Sequence, residues 1–243
     1  MTVILCLMLT FNVSSEESIV VPQMLLDQVA EGNAEAAYYI ALQFDKNSFA
    51  DDEMRIDTKA QEWMKKAAEM EYPQAMLEWA MMLEYEEKET EALQWLLKAA
   101  DVNVADAIAK IAYYYINGLA GLPKDCKIAY QWYEKAQIYD HKIAYNDHAW
   151  SLATSPYDVC RSPEKALFKI SKLMTIYQDE FEYVPPAVLD TKAAVHASIS
   201  DFNKAIEIQK QALEIIGDSH AKFESYQNRL EMYQNRKVWV QSK

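Results

Sequence analysis

One short pattern occurs five times along this chain, and that recurrence limits what the chain can fold into more than any other feature. Lys59-Ala60-Gln61-Glu62-Trp63-Met64-Lys65-Lys66-Ala67-Ala68 reappears as Glu91–Ala100, as Ile128–Ala136, more weakly as Lys165–Leu173, and again as Lys204–Ala212. The anchoring alanines stand at 60, 92, 129, 166 and 205, a spacing of 32 to 39 residues. That interval is the length of a helical hairpin, not of a propeller blade or a leucine-rich turn.

A second pattern precedes each of the first four copies. It runs from Ala36 to Phe44, Ala75 to Leu83, Ala107 to Tyr115 and Ala144 to Leu152. Ala41, Ala80, Ala112 and Ala149 hold one column. Ile40, Trp79, Ile111 and His148 hold the position before it, and Phe44, Leu83, Tyr115 and Leu152 the position three later. Residues at i, i+3, i+4 and i+7 share one helix face, and small residues at a crossing let two backbones approach closely. Ala41 and Ala67 are therefore expected where the two helices of a pair touch, with Trp63, Trp95 and Trp132 filling the gap to the next pair. A single pair cannot bury both faces, so pairs stack on their neighbours. The expected fold is all-α, a right-handed α-solenoid of stacked antiparallel helix pairs.

Composition agrees. Only 4 glycines and 7 prolines occur in 243 residues, too few for the turns of an all-β protein or for a glycine-rich nucleotide fold. Thr58 and Asp201 are expected to cap second helices, Ser162-Pro163-Glu164 to start another, and Pro185-Pro186 to break the chain before the last full pair. The net charge of −13 repels phosphate backbones and anionic lipid heads, which argues against nucleic acid and favours a basic or neutral protein surface as partner; equally, it serves to keep a Met- and aromatic-rich chain in solution.

The columns resemble the Sel-one-like repeat, a relative of the tetratricopeptide repeat. The third copy matches best: Ala107, Ile111-Ala112, Tyr115-Ile116-Asn117-Gly118 and Gly121-Leu122-Pro123-Lys124-Asp125, then Ala129 and Trp132-Tyr133-Glu134-Lys135-Ala136. The departures are alanine where the family usually has glycine (41, 80 and 112), a shortened loop in the second copy, and a charged loop, Asp45 to Asp57, in the first. From Asn146-Asp147-His148-Ala149-Trp150 to Pro156 the pattern resembles a second helical-repeat variant common in secreted bacterial proteins. Leu189 to Ala194, Asp201 to Ala205 and Arg229 to Tyr233 continue it. Together the likenesses cover about residues 30 to 239. The division they imply is a helix with three helix pairs over 16–142, then tetratricopeptide-like repeats with a terminal capping helix over 143–239. They also imply a protein- or peptide-binding scaffold whose first helices line a concave face. That face should carry Tyr38 and Leu42, Leu77 and Met81, Ala109 and Tyr113, and Asn146 and Trp150, unless the chain's own N-terminal segment partly fills it.

The opening TVILCLMLTF (Thr2 to Phe11) carries no charge and is shorter than the roughly 20 residues of a membrane span. With Val13-Ser14-Ser15 behind it, 1–15 reads as an export signal, although no basic residue precedes it. A truncated start or a buried N-terminal segment is the alternative. The expectation is an exported, periplasmic protein with no stable span in the mature chain; a cytoplasmic one is the alternative. If Cys6 leaves with the signal, Cys126 and Cys160 remain, either bridged or as two half-buried thiols.

Chemistry finds little purchase. No phosphate loop, HExxH, GxSxG or paired-glycine fingerprint occurs. His148 and His196 fall on apolar repeat positions and are expected in the core, whereas His141 and His220 fall in turns. The acidic runs Asp51-Asp52-Glu53 and Glu84-Tyr85-Glu86-Glu87 lack the spacing of a calcium loop. The expectation is a non-catalytic scaffold with no cofactor and no metal. A structural subunit of an envelope complex and a cell-wall-related hydrolase are the alternatives.

Overall fold

The computed structural model describes residues 20–45, 58–180 and 183–242. Residues 1–15, Cys6 and the loop running to Asp57 lie outside them. Among the described residues there are twelve α-helices and no strand: α1 (Gln23–Ala30), α2 (Ala34–Asp45), α3 (Thr58–Glu69), α4 (Pro73–Tyr85), α5 (Glu89–Asp101), α6 (Ala105–Asn117), α7 (Cys126–Gln137), α8 (Lys142–Thr154), α9 (Pro163–Glu180), α10 (Pro186–Ser198), α11 (Phe202–Ile216) and α12 (Phe223–Gln234). A 3-10 turn at Asp158–Cys160 follows α8.

The chain divides into two compact units, Met1–Tyr72 and Pro73–Lys243. In the first, α2 packs on α3 and α1 on α2. In the second, α4 pairs with α5, α6 with α7, α8 with α9 and α10 with α11. Successive pairs join there through α5 on α6, α7 on α8 and α8 on α10, and α12 closes the unit against α11.

The two alanine columns sit where the crossings are. Ala41, Ala80, Ala112 and Ala149, and Ala60, Ala92, Ala129, Ala166 and Ala205, have no exposed surface. The tryptophans do not plug the gaps between pairs. The fully buried large residue is the one after each: Met64, Leu96 and Tyr133. In α3 the buried stripe runs Ala60, Met64, Ala67, Ala68, so Trp63 stands at its edge and is half-buried. Each tryptophan is roofed by a lysine three residues on, Lys66 at 4.7 Å, Lys98 at 3.9 Å and Lys135 at 5.2 Å from the ring centre.

Helix ends are made largely without glycine. Glu71, Glu87, Asn103, Ser200 and Arg236 take left-handed φ between 54° and 66° just past α3, α4, α5, α10 and α12. The amide after each bonds back into the last turn, as Tyr72 does to Ala67 and Val104 to Ala99. Gly118 after α6, at φ +69°, is different: a Cβ there would meet Lys124 Cγ at 2.9 Å. Asp125 caps α7 by accepting the Lys127 and Ile128 amides, and Asp201 caps α11 by accepting that of Lys204.

Candidate functional site

The residues expected on the first-helix face separate into two columns. Leu42, Met81, Tyr113 and Trp150 stand one residue after the buried alanines, and Tyr38, Leu77, Ala109 and Asn146 three before them. The column one residue later faces outward. Met81 is 48% exposed and Tyr113 49%, and Leu42, in the first unit, is half-buried. The other column turns in. Leu77 is 4% exposed and Ala109 is buried, so neither side chain is available to a partner. Tyr38 is half-buried beside Tyr72 at 5.0 Å. Asn146 is half-buried, its Nδ2 donating to Asp147 and its Oδ1 buried with no hydrogen-bond partner.

Trp150 is covered, and the cover comes from the far end of the unit. After α12 the chain continues without regular structure, and the Trp239 ring lies 5.1 Å from that of Trp150. The Arg229 guanidinium sits 5.4 Å from each of these rings and 4.9 Å from Tyr226. Arg229 is itself 7% exposed. Its Nε and Nη2 donate to the two Asp190 oxygens at 2.8 and 2.9 Å, and Gln209 donates to the same carboxylate. Burial pushes the Asp190 carboxyl up while Arg229 and Gln209 pull it back. Nothing in the periodic pattern marked this pair, 39 residues apart in sequence. The available signal was Asp190, the one acidic residue of α10.

The structure joins Cys126 and Cys160, with 5.9 Å between their Cα atoms. The bridge ties the start of α7 to the 3-10 turn. Beside it the Tyr130 hydroxyl donates to the Cys160 carbonyl at 2.8 Å, so the Ser151 hydroxyl at 3.0 Å is the donor to Tyr130. A cavity of about 750 Å3 lies alongside, walled by Lys124 to Lys127, Ser151, Ser155 to Tyr157, Val159, Cys160, Trp239, Gln241 and Ser242.

The histidines take local roles. His148, 2% exposed, lies between Tyr130 and Tyr133 with Nδ1 3.2 Å from the Gln137 amide nitrogen. Burial, with Lys169 and Lys165 nearby, pushes its pKa down to about 3. His141 is no free turn residue. It accepts the Ala144 amide at the start of α8 and reaches Asp106 at 3.0 Å. His196 is half-buried at the end of α10, paired with Asp201 at 3.2 Å, and His220 accepts the Lys222 amide. Among the described residues no group of three or more His, Cys, Asp or Glu side chains is placed to hold a metal, and no helix is long and apolar enough to cross a membrane.

This is the architecture of a helical-repeat protein, built of antiparallel helix pairs; in the second unit α4 and α6 leave Met81 and Tyr113 exposed, whereas the equivalent Trp150 of α8 is covered. The Sel1 repeat matches residues 55–72, 73–103 and 105–136, so this part of the chain carries three Sel1 repeats. Over 62 residues, 26% of this chain, it is 37% identical to the chitin synthase regulator SKT5 of Saccharomyces cerevisiae, and it spans 9% of that protein's length. It resembles a solved Sel1 repeat protein from Oxalobacter formigenes, with a TM-score of 0.60 and 20% identity over 88% of this chain and 93% of that one. It also resembles a protective antigen of uropathogenic Escherichia coli displaying an SLR fold, with a TM-score of 0.54 and 15% identity over 88% of this chain and 53% of the other. Likeness at these identities concerns the fold. Sel1-repeat proteins act in general as protein-interaction scaffolds.

Proposed function

We propose that this chain is a non-catalytic scaffold that holds a protein or peptide against the exposed first-helix column of its second unit, with Met81 and Tyr113 as anchors. The observation that carries the reading is the pair itself: two large apolar side chains, each about half exposed, at equivalent positions of consecutive repeats. Aromatic residues and methionine are enriched at binding surfaces. The net charge of −13 favours a basic or neutral partner.

A photo-crosslinking residue placed at position 113 is expected to capture a discrete partner from the native cell extract, and the same residue at the exposed Ile138 is not. Met81→Ala with Tyr113→Ala should weaken that capture at least tenfold while leaving the melting temperature unchanged, since hot-spot truncations cost about 2 kcal/mol each. Capture that is equal at 113 and 138, or indifferent to the double variant, would sink the reading.

The Cys126–Cys160 bridge supports an exported, oxidising location, because cytosolic thiols are kept reduced. Both thiols should resist alkylation in protein taken from cells without reductant. Immediate labelling of either would count against export.

A further inference from the structure

The segment after α12 does something the scaffold reading does not require: it occupies part of the first-helix face. The Trp239 ring packs at a tilt against that of Trp150 with Arg229 beside both rings, and the Gln241 amide donates to the Thr154 carbonyl at 2.8 Å. That carbonyl belongs to the last turn of α8, where helix carbonyls lack partners within the helix. These contacts use an aromatic ring and a backbone N–H, so any extended chain with a suitably placed aromatic residue satisfies them. Trp239 and Gln241 line the 750 Å3 cavity together with Lys127, Ser155 and Tyr157.

We propose that Trp150, Arg229 and Thr154 with the adjoining cavity form a docking site for a partner peptide segment bearing an aromatic side chain, and that residues 237–242 fill it as an internal stand-in. The proposal rests on the scaffold reading and names the chemistry of its partner. The Trp150 ring and the Arg229 guanidinium select for an aromatic side chain, and the Thr154 carbonyl for a backbone N–H beside it. Because the internal segment is tethered, its local concentration is high and it masks the site from a free peptide until it is released.

The test uses the full chain and a fluorescent peptide with the sequence of residues 235–243. Trp239→Ala frees the site, and fluorescence anisotropy should then read peptide binding at least tenfold tighter than to the parent chain. Changing the peptide's tryptophan to alanine, or adding Trp150→Ala to the protein, should reverse that gain. A folded Trp239→Ala chain that binds no better than the parent, or that ignores the peptide's tryptophan, overturns the proposal. If Trp239→Ala fails to fold, Gln241→Pro, which removes the N–H donor to Thr154 and constrains the backbone there, decides on the same criteria. A parent chain that sediments as a dimer, and a Trp239→Ala chain that does not, would assign the site to a second copy's segment and overturn the partner assignment. Partner capture at position 113 without peptide binding at Trp150 would end this proposal and leave the scaffold reading standing; loss of both would end both.

Discussion

Ala80, Ala112 and Ala149 present single methyl groups at helix crossings, and the residue after Ala80 and after Ala112 is half exposed. One step along a helix turns a side chain through about 100°, enough to pass from core to solvent. The same step places Met64, Leu96 and Tyr133 inside and leaves their preceding tryptophans at the edge. His148 shows what burial does to a titrating group. Its pKa in the fold is about 3, against about 6.5 in an unfolded chain. The unfolded chain therefore takes up a proton that the fold refuses. The contribution is intact above about pH 6.5 and is lost as pH falls towards 3. Between pH 7 and pH 4.5 that amounts to on the order of 3 kcal/mol. Urea denaturation of the parent should show this loss, and a His148→Gln variant should show a shallower dependence over the same range. Equal slopes would mean that the imidazole is protonated inside the fold.

At the scale of elements, α12 is more than a polar cap on the array. Its Arg229 reaches back to Asp190 in α10, is flanked by three aromatic rings, and positions the segment that follows. A buried pair of this kind adds little over an apolar pair, but losing one member strands the other. Asp190→Ala should therefore destabilise the chain by about 3–5 kcal/mol in a denaturant titration, and Asp190→Leu with Arg229→Met should recover most of the loss. Removing Glu207, which pairs with Lys204 on the open surface of α11, should change stability by less than the error of that measurement. A mild effect of Asp190→Ala would indicate that Arg229 reaches water when its partner is gone.

At the scale of the molecule, stability in a repeat array passes from neighbour to neighbour, and polar ties reinforce the seams of the second unit. The Tyr114 hydroxyl donates to Glu84, Lys110 pairs with the same carboxylate, and His141 meets Asp106 across 35 residues. The disulfide is the strongest of these ties, closing a loop between residues 34 apart in sequence. Loop closure of that length is worth about 3–4 kcal/mol in the chain-entropy account. Cys126→Ser with Cys160→Ser should lower the unfolding free energy by that order, and dithiothreitol should do the same to the parent. Insensitivity to both would mean that the bridge does not form in solution.

Periodicity by itself determined the class of fold, the pairing of helices in sequence order and the alanine crossings, because each of these depends on residues a fixed distance apart along one helix or one repeat. It also placed Met81 and Tyr113 on one column and kept His148 inside. It did not distinguish the exposed column from the buried one beside it, since neighbouring columns share the same spacing and differ only in how neighbouring helices lean on them. Nor could it pair Asp190 with Arg229, or bring Trp239 back over Trp150. Those contacts join residues tens of positions apart, and only the stacked helices decide that they meet.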